Sequence, residues 1–165
     1  MFINSRRIIG IREISLLFLV LGFLNACQRQ GFSYSQKKDE VCFNERCVKV
    51  EVVYKWDDLI RGLKFREKMD LDHGMLFIFP KTSVYSFWMK DTKIPLDMIW
   101  MDYARRVVHI ASNVPPCVSD PCTIYTPQDQ ALYVLEVNAG YATRHNITVG
   151  RSAQFFVKAA NASSK

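Results

Sequence analysis

The sequence contains little histidine and lacks two motifs that are common in metal-dependent and hydrolytic active sites. It has only three histidines, and no two of them stand four residues apart, the spacing with which a helix presents two imidazoles to a zinc ion. It also has no Gly-x-Ser-x-Gly segment, the turn that exposes the nucleophile of α/β-hydrolases. These absences argue against a catalytic zinc ion and against a serine triad.

The basic residues are too dispersed to predict a nucleic-acid partner. Lysine and arginine total 22 against 16 acidic residues, a net charge of +6, and they do not form a stripe with interleaved aromatic residues. No known nucleic-acid-binding motif is present either. We therefore expect no nucleic-acid partner, and we expect the domain to be monomeric.

Soft metal ligands are present but have no regular arrangement. Four methionines, Met75, Met89, Met98 and Met101, could offer thioether sulfur to Cu(I). They show no fixed ligand spacing, and methionine commonly fills gaps in apolar cores. We therefore expect no metal ion and no cofactor.

The N-terminal 26 residues have the pattern of a bacterial lipoprotein signal peptide. Three arginines accompany an apolar stretch at residues 14–24, which is shorter than the roughly 20 residues that a membrane-spanning helix needs. The segment Leu24-Asn25-Ala26-Cys27 that follows resembles a lipobox, so residues 1–26 are the predicted signal peptide and Cys27 the predicted lipidation site. The alternative is an uncleaved anchor in which Cys27 is an ordinary core cysteine.

Lipidation at Cys27 would attach the protein to a membrane, because two or more acyl chains give stable anchoring. The residue after Cys27 would be the second residue of the mature protein, and it is Gln28 and not aspartate. This resembles the sorting pattern of outer-membrane lipoproteins in Gram-negative bacteria. We expect a lipid-anchored protein of the cell envelope on the periplasmic face, at the outer membrane in preference to the inner one. Removal of residues 1–26 takes away three arginines and one glutamate, which leaves a net charge of +4.

Four further cysteines form two pairs of identical spacing. Cys42 and Cys47, like Cys117 and Cys122, are separated by four residues that include turn formers. Four cysteines allow three connectivities. Exported thiols oxidise, and zinc sites commonly use shorter spacings, so two local disulfides are predicted in preference to a four-thiolate zinc site.

Apolar periodicity predicts a mainly β fold of the α+β class. Strands are predicted at residues 48–54, 75–79, 85–89, 97–101, 107–111, 132–137 and 153–157. Short helices are predicted within residues 56–69, where Asp57 or Asp58 can cap, and at 139–145. About seven strands with hairpin-length links predict a single small antiparallel β barrel or sandwich.

The domain boundaries follow from composition. The polar residues 27–40 predict a flexible tether, residues 41–158 a single domain, and residues 159–165 a frayed tail. Residues 112–131 form a long loop that the second cysteine pair would hold in shape.

Several segments resemble those of a bacterial and archaeal family known only as domain of unknown function 192. They are Arg61-Gly62-Leu63-x-Phe65-Arg66, Gly74-Met75-Leu76-Phe77-x-Phe79, Phe87-Trp88-Met89-Lys90-Asp91-Thr92, Pro95-Leu96-Asp97-Met98, Pro115-Pro116-Cys117, Pro121-Cys122, Tyr125 and Tyr133-Val134-Leu135-Glu136-Val137-Asn138-Ala139-Gly140. Lys64 and Asp91 depart from the Met and Asn that are common in the family. The resemblance covers residues 48–157 and implies a compact, mostly β domain that often follows a signal peptide. It implies no activity and no catalytic residues.

The candidate site lies in the segment 85–100, where large apolar residues surround a polar insert. Because a buried carboxylate must find a partner, Asp97 is either a ligand-binding acceptor or general base, or one half of a structural ion pair with Arg66 or Lys90. The loop at 112–131 is either a binding rim or a cover for a strand edge. The candidate ligand-binding residues are Arg66, Trp88, Lys90, Asp91, Thr92, Asp97, Tyr125 and Glu136.

Two functions are compatible with these residues. The first is a lipid-anchored, non-catalytic envelope domain that binds a small polar or glycan-like ligand, or an envelope protein, between residues 90–97 and the loop at 112–131. The second is an envelope hydrolase that uses Asp97 or Glu136 as general base.

Overall fold

The computed structural model describes residues 39–158 of the chain. The predicted signal peptide at residues 1–26, Cys27, nearly all of the tether predicted at 27–40 and the tail predicted at 159–165 lie outside the described residues. Among residues 39–158, no helix combines the length and the apolar character that crossing a membrane would require.

The described chain consists of nine strands and two short helices. They are β1 (Glu40–Phe43), β2 (Arg46–Val53), α1 (Trp56–Arg61), β3 (His73–Ser83), β4 (Phe87–Trp88), β5 (Leu96–Met101), β6 (Val107–Val114), β7 (Ile124–Tyr125), β8 (Ala131–Asn138), α2 (Tyr141–Arg144) and β9 (Gln154–Phe156). Seven strands form one sheet in the order β6-β5-β8-β3-β2-β1-β9, and β4 pairs with β7 in a second, small sheet. The predicted mainly β fold with two short helices is confirmed.

The large sheet is mixed, because one of its pairs is parallel. Strands β2 and β3 run in the same direction, since the chain crosses back through α1 between them, and the other pairs are antiparallel. The sheet curls so that its two edges approach each other. Arg106, just before β6, forms a bridge with Ser152, just before β9, and the Val107 N–H donates to the Arg151 carbonyl at 2.8 Å.

Helix α1 is shorter than the sequence predicts. It ends at Arg61 because Gly62 takes a positive φ of 48° with a ψ of −136°, a backbone conformation that suits glycine and cannot continue the helix, and its N–H donates to the Asp58 carbonyl at 2.9 Å. The predicted capping by Asp57 or Asp58 is wrong, since Lys55 occupies the N-cap position and no side chain caps the helix. Both aspartates lie in the first turn, where their negative charges favour the positive end of the helix dipole.

The strand predicted at 85–89 is reduced to the two residues of β4. Its partner β7 lies within the loop at 112–131, for which the sequence indicated no strand. Both predicted disulfides are confirmed: Cys42–Cys47 joins β1 to β2, and Cys117–Cys122 closes a turn of this loop. The loop is also held by Lys90, whose ammonium group lies 2.7 Å from the carboxylate of Asp120.

The central strands separate two apolar clusters, one on each face of the sheet. Residues that stand opposite each other on neighbouring strands point to the same face. Met75, Met98 and Glu136 are therefore on one face, while Asp97 and Val137 are on the other. All six residues of β5 are buried, so a polar side chain on this strand must be satisfied from within the protein.

The Asp97 carboxylate is satisfied by three backbone N–H groups. Oδ1 accepts from Asn113 at 2.7 Å and from Gly140 at 3.0 Å, and Oδ2 accepts from Ala142 at 2.8 Å. The Asn113 N–H is available because β6 bulges opposite Asp97, where Asn113 takes a positive φ of 53°. Asp97 thereby connects β5 to β6 and to the start of α2.

The prediction that Asp97 forms an ion pair with Arg66 or Lys90 is wrong. Arg66 binds Glu51 in a bidentate pair, and Lys90 binds Asp120. The bulge and the helix start supply enough N–H donors to hold the carboxylate without a cation.

We predict that Asp97→Asn lowers the free energy of unfolding by on the order of 3 kcal/mol, because one side-chain NH₂ group would then face backbone donors and leave them unpaired in the core. Urea unfolding of the purified protein measures this change. Asp129→Asn, at an exposed position, is the matched control and should leave the midpoint almost unchanged. An Asp97→Asn protein as stable as the wild type would contradict the assigned role.

Candidate functional site

A cleft of about 340 Å³ opens between α1 and the sheet face that carries Glu136. We call it the aromatic cleft. Its lining comes from α1 and the turn after it, from β3 and β8, and from the segment around β4. The lining residues are Trp56, Leu59, Ile60, Arg61, Gly62, Leu63, Lys64, Phe77, Phe79, Tyr85, Ser86, Phe87, Trp88, Lys90, Thr92 and Glu136.

The inner walls are aromatic rings packed against one another. Phe79 and Tyr85 stack with ring centroids 3.6 Å apart, and Phe87 meets Phe77 edge to face at 5.2 Å. The Tyr85 hydroxyl donates to the Lys81 carbonyl at 2.6 Å, which fixes its ring. These contacts give the cleft rigid, largely apolar walls, as is typical of small-molecule sites.

Glu136 lies at the base of the aromatic cleft and is 5% exposed. Its carboxyl group has no hydrogen-bond or ion-pair partner among the described residues. Fully buried polar side-chain atoms in residues 39–158 all have partners, so this carboxyl reaches the open space of the cleft. The strand that carries it, β8, passes close to Gly74 of β3. A Cβ atom on residue 74 would lie only 2.6 Å from the Glu136 carbonyl oxygen, so a larger residue there would push the two strands apart.

Burial raises the pKa of Glu136 from its ordinary value of 4.5 to about 8. At pH 7 the protonated form therefore outnumbers the ionised form by about ten to one. A protonated carboxyl group can both donate and accept a hydrogen bond. Thr92, 7% exposed, adds a hydroxyl to the lining of the same cleft.

The mouth of the aromatic cleft combines an exposed ring with positive charge. Trp88 is 49% exposed, and the ammonium groups of Lys64 and Lys90 lie 5.8 and 6.0 Å from its ring centroid. The turn that carries Lys64 is fastened to the opposite side of the mouth, because the Phe65 N–H donates to the Asp91 carbonyl at 2.7 Å. The mouth is therefore defined by backbone contacts as well as by side chains.

The chain matches one protein-family model over most of its length. Residues 39–155 match the model of the family DUF192, described as "Uncharacterized ACR". The chain belongs to the DUF192 family. No curated protein matches the chain.

Two crystal structures are similar to the DUF192 domain described above. A proposed transcription regulator from Sinorhizobium meliloti is 29% identical with a TM-score of 0.64, and the match covers 73% of this chain and 98% of that one. A protein of unknown function from Novosphingobium aromaticivorans is 30% identical with a TM-score of 0.64, and the match covers 70% of this chain and 82% of that one. Both similarities support the fold, and neither description names a ligand.

The DUF192 domain brings together four of the eight candidate residues. Trp88, Lys90, Thr92 and Glu136 all line the aromatic cleft. Asp91 lies at its edge, is exposed, and contributes its carbonyl to the contact with Phe65.

The other three candidate residues lie elsewhere. Arg66 is occupied by Glu51, with one of its two hydrogen bonds at 2.9 Å, and Asp97 is on the opposite face of the sheet. Tyr125 lines a separate depression beside the Cys117–Cys122 disulfide.

Helix α1 and the turn after it also contribute to the cleft, which was not predicted from the sequence. Trp56 and Ile60 stand four residues apart and are 66% and 56% exposed at the cleft. Two large apolar residues at this spacing lie on one face of a helix, so the signal was present. It could not be separated from an ordinary core-facing stripe without knowing which face the sheet covers.

We predict that the stability of the DUF192 domain falls as pH rises from about 4.5 to 8, in part because of Glu136. Its folded-state pKa of about 8 lies above its ordinary value of 4.5, so the folded protein binds the proton more tightly and loses this advantage as pH increases. Glu136→Gln removes the titrating group, and its gain in unfolding free energy over wild type should grow by a few kcal/mol across this range.

Urea unfolding at several pH values measures this difference. Glu45→Gln, at an exposed position in the β1–β2 turn, should keep a constant difference from wild type. A constant difference for Glu136→Gln as well would mean that the carboxyl group titrates normally.

Proposed function

We propose that this protein binds a small organic molecule in the aromatic cleft and is held at the cell envelope by a lipid on Cys27. The observation that supports ligand binding is the carboxyl group of Glu136, which is nearly buried and unpartnered at the base of the cleft. A group of this kind destabilises a fold unless something pairs with it. A bound ligand would supply the partner.

The fold itself gives no reason to keep Glu136. Its neighbours across the sheet, Met75 and Met98, are apolar, and an apolar residue at its position would extend the same cluster. Residues that reduce stability are often retained for function. An aromatic cavity with few convergent polar groups and a perturbed carboxyl is the usual form of a small-molecule site.

The hydrolase alternative has less support. Asp97 is fully buried and its oxygens are taken up by three backbone donors, so it is not available as a general base. Glu136 has a pKa that would suit acid–base chemistry. However, its cleft contains no second carboxyl group and no histidine among the described residues. Binding without turnover accounts for this lining more simply.

The Sinorhizobium meliloti relative is described as a proposed transcription regulator, and we do not propose that role for this chain. A helix that reads the major groove must present several side chains to the bases. In residues 39–158 the two helices have six and four residues, and the charged mouth of the cleft is interrupted by exposed apolar side chains. We propose that the protein binds no nucleic acid and acts as a monomer.

The location at the envelope is supported by the N-terminal pattern and by the two disulfides. Disulfides persist in oxidising compartments such as the periplasm and are rare in the cytosol. Together with the lipobox-like segment that ends at Cys27, they favour a lipoprotein on the periplasmic face, at the outer membrane in preference to the inner one.

We predict that cells fed a labelled fatty acid incorporate it into the wild-type protein and not into Cys27→Ser, because the thiol of Cys27 would be the acylated group. The protein is recovered by immunoprecipitation and its label is counted. Cys122→Ser, which also removes one cysteine, should retain the label. Label on Cys27→Ser would exclude Cys27 as the lipidation site.

We predict that fragments bind in the aromatic cleft and that Trp88→Ala weakens their binding about fivefold, since ring stacking contributes on the order of 1 kcal/mol beyond simple burial. The measurement is an NMR titration with aryl carboxylates, aryl amines and sugars, following the amide signals of Phe87, Thr92 and Glu136. Tyr103→Ala, at a ring 75% exposed in the β5–β6 turn, is the matched control and should leave affinity unchanged. Fragments that shift only residues outside the cleft would contradict the proposal.

A further inference from the structure

The charges around the aromatic cleft point to a specific class of ligand. Resting on the proposed function, we propose that the cleft binds an organic anion with its charged head at the mouth. Lys64 and Arg61 hold the head, the aromatic walls enclose an apolar body, and an oxygen at the inner end receives a hydrogen bond from the carboxylic acid of Glu136.

The mouth favours an anion because the side chains that line it are basic, and exposed Asp91 stands only at its edge. Arg61, Lys64 and Lys90 line the cleft, whereas its acidic member, Glu136, lies at the base. Lys90 is already paired with Asp120, and Arg61 is 4.0 Å from Asp58. Lys64 has no acidic partner among the described residues and contacts the face of Trp88. It is therefore the cation most available to a ligand head.

The inner end of the cleft favours an acceptor over a cation. No ionisable group faces Glu136 from β3 or β5, where its neighbours are Met75 and Met98. The ionisable side chains that line the cleft from the other elements are Arg61 at the end of α1, Lys64 in the turn after it, and Tyr85 and Lys90 on either side of β4. Burial alone raises the pKa of Glu136 to about 8, so near neutral pH it is a hydrogen-bond donor.

An ammonium ligand would have to enter past three basic side chains to reach Glu136. It would also have to drive the proton off that group before forming an ion pair. An anion whose inner end carries a carbonyl or hydroxyl oxygen meets neither obstacle. The order of charges from mouth to base therefore selects the anion.

The test compares two probes that share a ring and an inner methoxy oxygen, which can only accept a hydrogen bond, and differ in the sign of the head. They are 3-(4-methoxyphenyl)propionate, an anion, and 2-(4-methoxyphenyl)ethylamine, a cation. Affinities are measured by NMR titration of the cleft amide signals between pH 6.5 and 9. At pH 7 the anion should bind about tenfold more tightly than the amine.

Two variants test the assigned contacts. Lys64→Gln should weaken binding of the anion about two- to fivefold, which is the range for a partly exposed ion pair. Lys93→Gln, which loses a pairing with Glu67 away from the cleft, should leave this affinity unchanged.

In the wild type, affinity for the anion should fall by up to about tenfold per pH unit above pH 8, because ionised Glu136 cannot donate and repels the head. Glu136→Gln keeps an N–H donor and should bind the anion without this pH dependence.

The outcomes separate this inference from the proposed function. Tighter binding of the amine probe in the cleft, with affinity that rises with pH, would overturn the anion assignment and leave the binding function standing. An anion affinity whose pH profile is the same in wild type and Glu136→Gln would overturn the role of Glu136 as donor. If neither probe shifts the cleft signals while other fragments do, the anion class is wrong. If no fragment shifts them, the proposed function fails with it.

Discussion

Three backbone N–H groups from two separate segments converge on the carboxylate of Asp97, and the architecture around β5 depends on that convergence. The strand is buried along its whole length, so its single charge has to be satisfied from within. A bulge in β6 supplies the Asn113 donor, and the start of α2 supplies two more. The interaction fixes where β6 bends and where α2 begins. Asp97 thereby holds together one face of the sheet, and the opposite face of the same sheet lines the aromatic cleft.

The sheet carries two buried carboxyl groups in opposite circumstances. Asp97 and Glu136 lie on adjacent strands, one register step apart, and point to opposite faces. The Asp97 carboxylate has three donors, whereas the Glu136 carboxyl has no partner among the described residues and a pKa raised to about 8 by burial. The first group stabilises the fold, and the second weakens it at neutral pH. This contrast, more than the size of the cleft, is the reason that we propose ligand binding on the Glu136 side of the sheet.

Much of the fold could be predicted from local sequence. Apolar alternation located most strands, and turn residues between closely spaced cysteines predicted both disulfides. The parallel pairing of β2 with β3 and the strand β7 could not be predicted, since both depend on contacts between distant segments. The same limit applied to the site. Sequence selected Asp97 and Glu136 as candidates, but only the strand register reveals that they face apart and that Lys64 and α1 complete the cleft of Glu136.

The proposed binding function requires Glu136 to be an unpartnered acid at the base of the aromatic cleft. The decisive experiment follows the side-chain carboxyl carbon of Glu136 by NMR as pH is varied, with Glu136→Gln used to assign the signal. A midpoint near pH 8 that shifts when a cleft ligand is added would agree with this account. A midpoint near the ordinary 4.5, unaffected by ligands, would contradict it.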